Sequence, residues 1–138
     1  MAAKNTARSA KASGASRTVL VIEDEEFIRD LISMKLEMKG YRVLAATTVE
    51  ASRPLLEKTA VDLICLDILL PMQDGFSFLA ELKADERFKH IPVFILSNLG
   101  QQAEVDHGFA LGASDYIIKA NVAPTEIVAR IDAFFARL

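Results

Sequence analysis

Short apolar runs rich in β-branched residues alternate with stretches of helical spacing along most of the chain. Residues 18–22 form the first such run. Residues 25–39 place Phe27, Ile28, Leu31, Met34, Leu36 and Met38 at helical intervals, and Gly40 supplies a stop signal. Residues 41–46 read as a second strand. Thr47 and Glu50 have the spacing of a capping box that opens a second helix, which Pro54 is expected to kink or to delay. Residues 61–66 read as a third strand, apolar except at Asp62. Residues 75–84 form a third helix, with Phe76, Phe78, Leu79 and Leu82 available for packing. The fourth strand spans 91–96, with Pro92 near its start, where a missing N–H is tolerated. The fourth helix spans 101–111 and is expected to be irregular at Gly108. The fifth strand spans 115–118. Pro124 then opens a last helix, with Glu126 in its first turn and Ile127, Val128, Ile131, Phe134 and Phe135 along it.

Five β–α units in series, with strands apolar nearly throughout, require a parallel sheet buried on both faces. Right-handed crossovers place helices on both sides. The pattern therefore predicts an α/β fold, a doubly wound five-stranded parallel sheet of order 2-1-3-4-5. Residues 18–138 are expected to form one domain. Residues 1–17 differ in kind: Ala/Ser-rich, with Lys4, Arg8, Lys11 and Arg17 and no acidic residue. They read as a disordered basic tail, with an organelle transit peptide or a nucleic-acid-binding arm as the lesser alternatives.

Composition narrows the function classes. The 138 residues carry a net charge of −3, which argues against nucleic acid as the main partner. No apolar run approaches the roughly 20 residues of a membrane span. The single cysteine, Cys65, lies in an apolar run and reads as a buried core thiol. With no disulfide possible within the chain, a reducing, cytoplasmic setting is expected.

In an open α/β sheet, ligands bind outside the carboxyl ends of the strands at the topological switch point. Here that point lies between strands one and three. Glu23 and Asp24 follow strand one, and Asp67 follows strand three, so three carboxylates should converge. Like charges so close repel unless a cation joins them, and hard oxygen ligands at a partly open site favour Mg²⁺. Glu25 and Glu26 read only as an acidic first turn complementing a helix dipole. Ser97 and Lys119 end strands four and five. A hydroxyl and an ammonium facing the carboxylates suit the oxygens of a transferred phosphoryl group. His90 and His107 have no paired spacing and read as surface residues.

The acidic pair Glu23-Asp24, the run from Leu66 and Asp67 through Pro71 to Asp74-Gly75, Ser97, the run Leu111-Gly112-Ala113-Ser114-Asp115-Tyr116 and the run to Lys119 together resemble the receiver domain of bacterial two-component response regulators. The resemblance covers about residues 18–138 and implies the flavodoxin-like (βα)5 receiver fold. It further implies that Asp67 is the phosphoacceptor, and that Asp24, Asp67, Glu23 and the Leu69 backbone carbonyl hold Mg²⁺. Ser97 would hydrogen-bond the phosphoryl group, Lys119 would pair with it, and Tyr116 would be the switch aromatic. The donor would be a phosphohistidine on a histidine kinase or phosphotransfer protein. The chain would thus be a phosphoacceptor rather than an enzyme. Its fourth helix, fifth strand and fifth helix would present the readout face to a separate downstream protein, or to a second copy in a homodimer. No output domain is expected after the fifth helix.

Three departures from the family pattern matter. Ala120 follows Lys119 where the family has proline and a cis bond, so a trans peptide with a rerouted loop that still aims Lys119 at the site is expected. Asn98 follows Ser97 and is expected to crowd or hydrogen-bond the phosphoryl group. Leu69 and Leu99 stand at positions that, by the resemblance, tune hydrolysis of the phosphoaspartate in the family; both are apolar and cannot orient a water, so slow autodephosphorylation is expected. Against the switch stand two rivals. A phosphatase of the haloacid-dehalogenase type needs an acid where Leu69 stands. A phosphorylation-independent binding module of the same fold is the alternative that Ala120 and Asn98 would favour.

Overall fold

The computed structural model describes residues 17–138, and the tail reading therefore falls on residues outside those described, apart from Arg17. Five strands, β1 (Thr18–Ile22), β2 (Arg42–Ala46), β3 (Leu63–Asp67), β4 (Val93–Ser97) and β5 (Asp115–Ile118), form one parallel sheet in the order β2-β1-β3-β4-β5. The helices between and after them are α1 (Glu26–Met38), α2 (Val49–Lys58), α3 (Gly75–Ala84), α4 (Gln102–Ala110) and α5 (Pro124–Ala136). A single 3₁₀ turn, Lys119–Asn121, joins β5 to α5.

Side chains alternate across the sheet, as strand geometry requires. Leu20, Ile22, Ile64, Leu66, Val93 and Ile95 face a layer built with Val49 and Leu56 of α2 and Phe78, Leu79 and Leu82 of α3. Val19, Val21, Leu63, Cys65, Phe94 and Leu96 face the opposite layer, with Ile32 and Leu36 of α1 and Ile127, Ile131 and Phe135 of α5. The three central strands are buried at every position, which explains why their sequences read as continuous apolar runs. Each fully buried Leu or Ile of these strands contributes about 1.5–3 kcal/mol. Cys65 is a core thiol, and burial alone pushes its pKa up to about 12.

Several local expectations are corrected. Thr48 rather than Thr47 caps α2, accepting the Ala51 N–H at 3.0 Å, and no Thr47–Glu50 box forms. Helix α2 does not start late; it runs unbroken from Val49 through Pro54. Likewise α4 is regular across Gly108. That glycine serves packing instead: a Cβ there would lie 2.8 Å from Ile95 Cδ1 and 2.9 Å from Tyr116 Cδ2. Strand β3 begins at Leu63, because the Asp62 carboxylate takes the Thr18 N–H at 2.8 Å. Arg17 packs on the domain, its guanidinium 4.3 Å above the Phe135 ring.

Strand register sets the site. Ile22 pairs with Leu66, Asp67 with Leu96, and Ser97 with Ile118. The residues just beyond or at these positions, Glu23, Asp67, Ser97 and Lys119, therefore line up along the carboxyl edge of the sheet.

Candidate functional site

Asp67 closes β3 with 3% of its surface exposed, and Glu23, directly after β1, is fully buried. Asp24 is exposed. One carboxylate oxygen from each of Glu23, Asp24 and Asp67 lies within 4.8 Å of the others. The chain thus brings together the three acids that the sequence placed at the switch point. Gly75 fixes the loop beneath them: its N–H donates to the Ile68 carbonyl at 2.9 Å, and a Cβ at this position would sit 2.5 Å from the Asp67 carbonyl oxygen. Only a residue without a side chain lets α3 start so close to the Asp67 backbone. Asp74 caps that helix, accepting the Phe76 N–H at 3.0 Å.

Lys119 reaches into the cluster. Its Nζ donates to Glu23 Oε1 at 2.9 Å, to Glu25 Oε1 at 3.1 Å and to Asp67 Oδ2 at 3.4 Å. There is no cis peptide bond among the described residues, and the 3₁₀ turn carries the chain past Ala120 while Lys119 still points inward. The other Asp67 oxygen accepts the Leu69 N–H at 3.2 Å, and Glu23 Oε2 accepts the Glu25 N–H at 3.1 Å.

The electrostatics are unbalanced. Burial pushes the Asp67 carboxyl up, the Glu23 charge pushes it further, and Lys119 opposes them, leaving a pKa of about 7. Burial works against the charge on Lys119, but Glu23 and Asp67, with help from Glu25, hold it above the usual lysine range. One ammonium therefore does not neutralise the acids around it. An all-oxygen donor set, partly open at Asp24 and carrying surplus negative charge, fits a hard divalent cation such as Mg²⁺.

Ser97 is buried at the end of β4, and its Oγ accepts the Leu99 N–H at 3.0 Å. Tyr116 is inward, 7% exposed, with its hydroxyl donating to the Leu99 carbonyl at 2.6 Å. Both residues thus grip the loop that follows β4. Asn98 is exposed beside Ser97, and the Leu69 side chain is 59% exposed. His90 and His107 lie on the surface, His107 with its ring 4.7 Å from that of Phe76. The sequence reading missed Glu25. Helix α1 begins at Glu26, so Glu25 is no first-turn acid, and its side chain caps nothing. Its place directly after the acidic pair was the available signal.

Comparison with known proteins decides the family. The model of the response regulator receiver domain matches residues 19–132. The chain belongs to this family. The receiver domain is 40% identical over 119 residues to the DNA-binding dual master transcriptional regulator RpaA of Synechocystis sp., covering 86% of this chain and 49% of that protein. It is 36% identical over 121 residues to the phosphate regulon transcriptional regulatory protein PhoB of Pseudomonas aeruginosa, covering 88% and 52%. The chain therefore spans about half the length of these curated relatives. Among solved structures, the phosphorylated cyanobacterial phytochrome response regulator RcpA superposes with a TM-score of 0.79 at 29% identity, covering 88% of this chain and 95% of that one. The receiver domain is a component of two-component phosphorelay signalling, and its acidic cluster is consistent with Mg²⁺ and an aspartyl phosphate.

Proposed function

We propose that this receiver domain is a switch controlled by phosphorylation of Asp67. The observation that carries the reading is the buried Asp67 carboxylate with Lys119 Nζ 3.4 Å away and Glu23 and Asp24 beside it. An Asp67 oxygen would attack phosphorus in line, forming the O–P bond as the P–N bond of a donor phosphohistidine breaks. The leaving imidazole keeps the bonding electron pair and takes a proton. Lys119 would pair with the equatorial phosphoryl oxygens, and Ser97 would donate a hydrogen bond from its hydroxyl to one of them. Asp24, Asp67, Glu23 and the Leu69 carbonyl would hold Mg²⁺, which when bound offsets the charge of the phosphoryl oxygens. That the similar RcpA structure is of a phosphorylated protein supports the reading.

The donor would be a histidine kinase or phosphotransfer protein. Added charge at Asp67 would draw Ser97 and the loop after β4, biasing Tyr116 and the α4-β5-α5 face. That face would serve a separate protein partner or a second copy, rather than nucleic acid, since the net charge of −3 gives no basic footprint. No helix of the described residues is long and apolar enough to cross a membrane; a cytoplasmic setting is our reading from membership of the receiver family. A phosphorylation-independent binding role is disfavoured, because Lys119 keeps its aim at Asp67 despite Ala120.

Incubation with acetyl phosphate and Mg²⁺, read by intact mass, tests the proposal. A single phosphoryl adduct that requires Mg²⁺ and is absent in Asp67→Asn is expected. An unmodified chain under saturating donor would overturn it.

A further inference from the structure

An ammonium has three hydrogens to donate, and in this structure Lys119 Nζ has three carboxylate partners: Glu23 at 2.9 Å, Glu25 at 3.1 Å and Asp67 at 3.4 Å. Its donors are fully committed, and the Lys119 side chain is only 8% exposed. A phosphoryl group on Asp67 brings new acceptor oxygens that need one of those donors, so one existing partner must let go.

The three partners are held very differently. Glu23 is fully buried, and its second oxygen is fixed by the Glu25 N–H at 3.1 Å. Asp67 is the group being modified. The Glu25 side chain is 55% exposed, accepts no bond at the α1 N-terminus, and has open water around it. Losing Lys119 costs Glu25 least, because its carboxylate can be rehydrated at once while Glu23 cannot.

We propose that Glu25 is a positioning residue that holds Lys119 partly away from the phosphoryl position in the resting site and releases it as the phosphoryl group arrives. This deepens the reading of Asp67 as phosphoacceptor and rests on it. Glu25 would touch neither donor nor phosphoryl group; it would act only through Lys119. Releasing a half-exposed ion pair sets the expected effect: Glu25→Gln should speed phosphorylation by about two- to fivefold.

The test combines a kinetic cycle with a spectroscopic reading. Phosphorylation by acetyl phosphate in saturating Mg²⁺ would be timed by intact mass in the wild-type chain, Glu25→Gln, Lys119→Gln and the double variant. Acceleration by Glu25→Gln is expected only where Lys119 is present. An equal acceleration in the Lys119→Gln background would reduce the effect to a general change of charge and overturn the proposal, as would no acceleration at all. The ¹⁵N-detected ammonium signal of Lys119, assigned by its loss in Lys119→Gln, reads the contact without any phosphorylation. Glu25→Gln should shift that signal and speed its hydrogen exchange; an unmoved signal overturns the inference. If the wild-type chain accepts no phosphoryl group, the phosphoacceptor reading fails, and the ammonium signal alone decides whether Glu25 holds Lys119.

Discussion

Asp67 is a carboxyl kept in a place that disfavours its own charge. Burial and the neighbouring Glu23 bring its pKa to about 7, against an ordinary value of 3.8. The sign of the stability effect follows directly. The unfolded chain releases this proton first, so the folded state loses stability as pH rises between about 4 and 7. In chelator, Asp67→Asn should therefore be more stable than the wild-type chain at pH 8, by roughly 1–2 kcal/mol after allowance for Lys119 and solvent screening. The gap should close toward pH 4. Urea unfolding at the two pH values checks this, and a wild-type chain that is the more stable at pH 8 would contradict it. The positions of Glu23, Asp24, Asp67, Ser97 and Lys119 were legible in the sequence because each ends or follows a strand of a parallel sheet. Glu25 was not. Which carboxylate a long lysine chooses depends on side-chain geometry that no spacing rule encodes.

At the scale of elements, α3 and β5 were readable to the residue, and so was the start of α5. Gly75 and Pro124 mark helix starts by what their backbones permit, and Asp115–Ile118 is bracketed by the turn at Gly112 and by Lys119. The start of β3 was misread because Asp62 meets Thr18 through its side chain, which takes the Thr18 N–H, as well as through one backbone bond to the Thr18 carbonyl, and the ladder proper begins one residue later. Gly108 was misread as a helix defect, when its role is the close approach of α4 to Tyr116. This last point yields a prediction. Gly108→Ala should lower stability by about 1 kcal/mol, even though alanine favours helix, because the new methyl overlaps Ile95 and Tyr116. The ring should also be displaced. The chain has two tyrosines and no tryptophan, so in a Tyr41→Phe background acrylamide quenching reports on Tyr116 alone. Quenching should rise in Gly108→Ala, and unchanged quenching with equal stability would rule the packing argument out.

For the whole molecule, the order β2-β1-β3-β4-β5 followed from apolar runs and crossover handedness, and it is the register of that sheet that gathers the site at one edge. The same arrangement makes the domain's stability answer to metal. The surplus negative charge around Asp67 is relieved when a divalent cation binds, and a ligand that binds only the folded chain stabilises it by mass action. Mg²⁺ at a hundred times its dissociation constant should add about 2.7 kcal/mol, seen as a raised melting temperature. Asp24→Ala should largely lose the gain. An equal Mg²⁺ response in that variant would place the cation elsewhere.

The account turns on one oxygen atom of Asp67 forming a bond to phosphorus. Borohydride reduction of the acetyl-phosphate-treated chain converts an acyl phosphate to an alcohol and so marks the modified side chain permanently. Tandem mass spectrometry of the tryptic peptides spanning residues 18–29 and 59–83 then locates the mark among their acidic residues. Homoserine at position 67, dependent on Mg²⁺, is the predicted result. A mark at Asp62, Asp74 or Glu81, or at Asp24 elsewhere in the chain, would contradict the central claim.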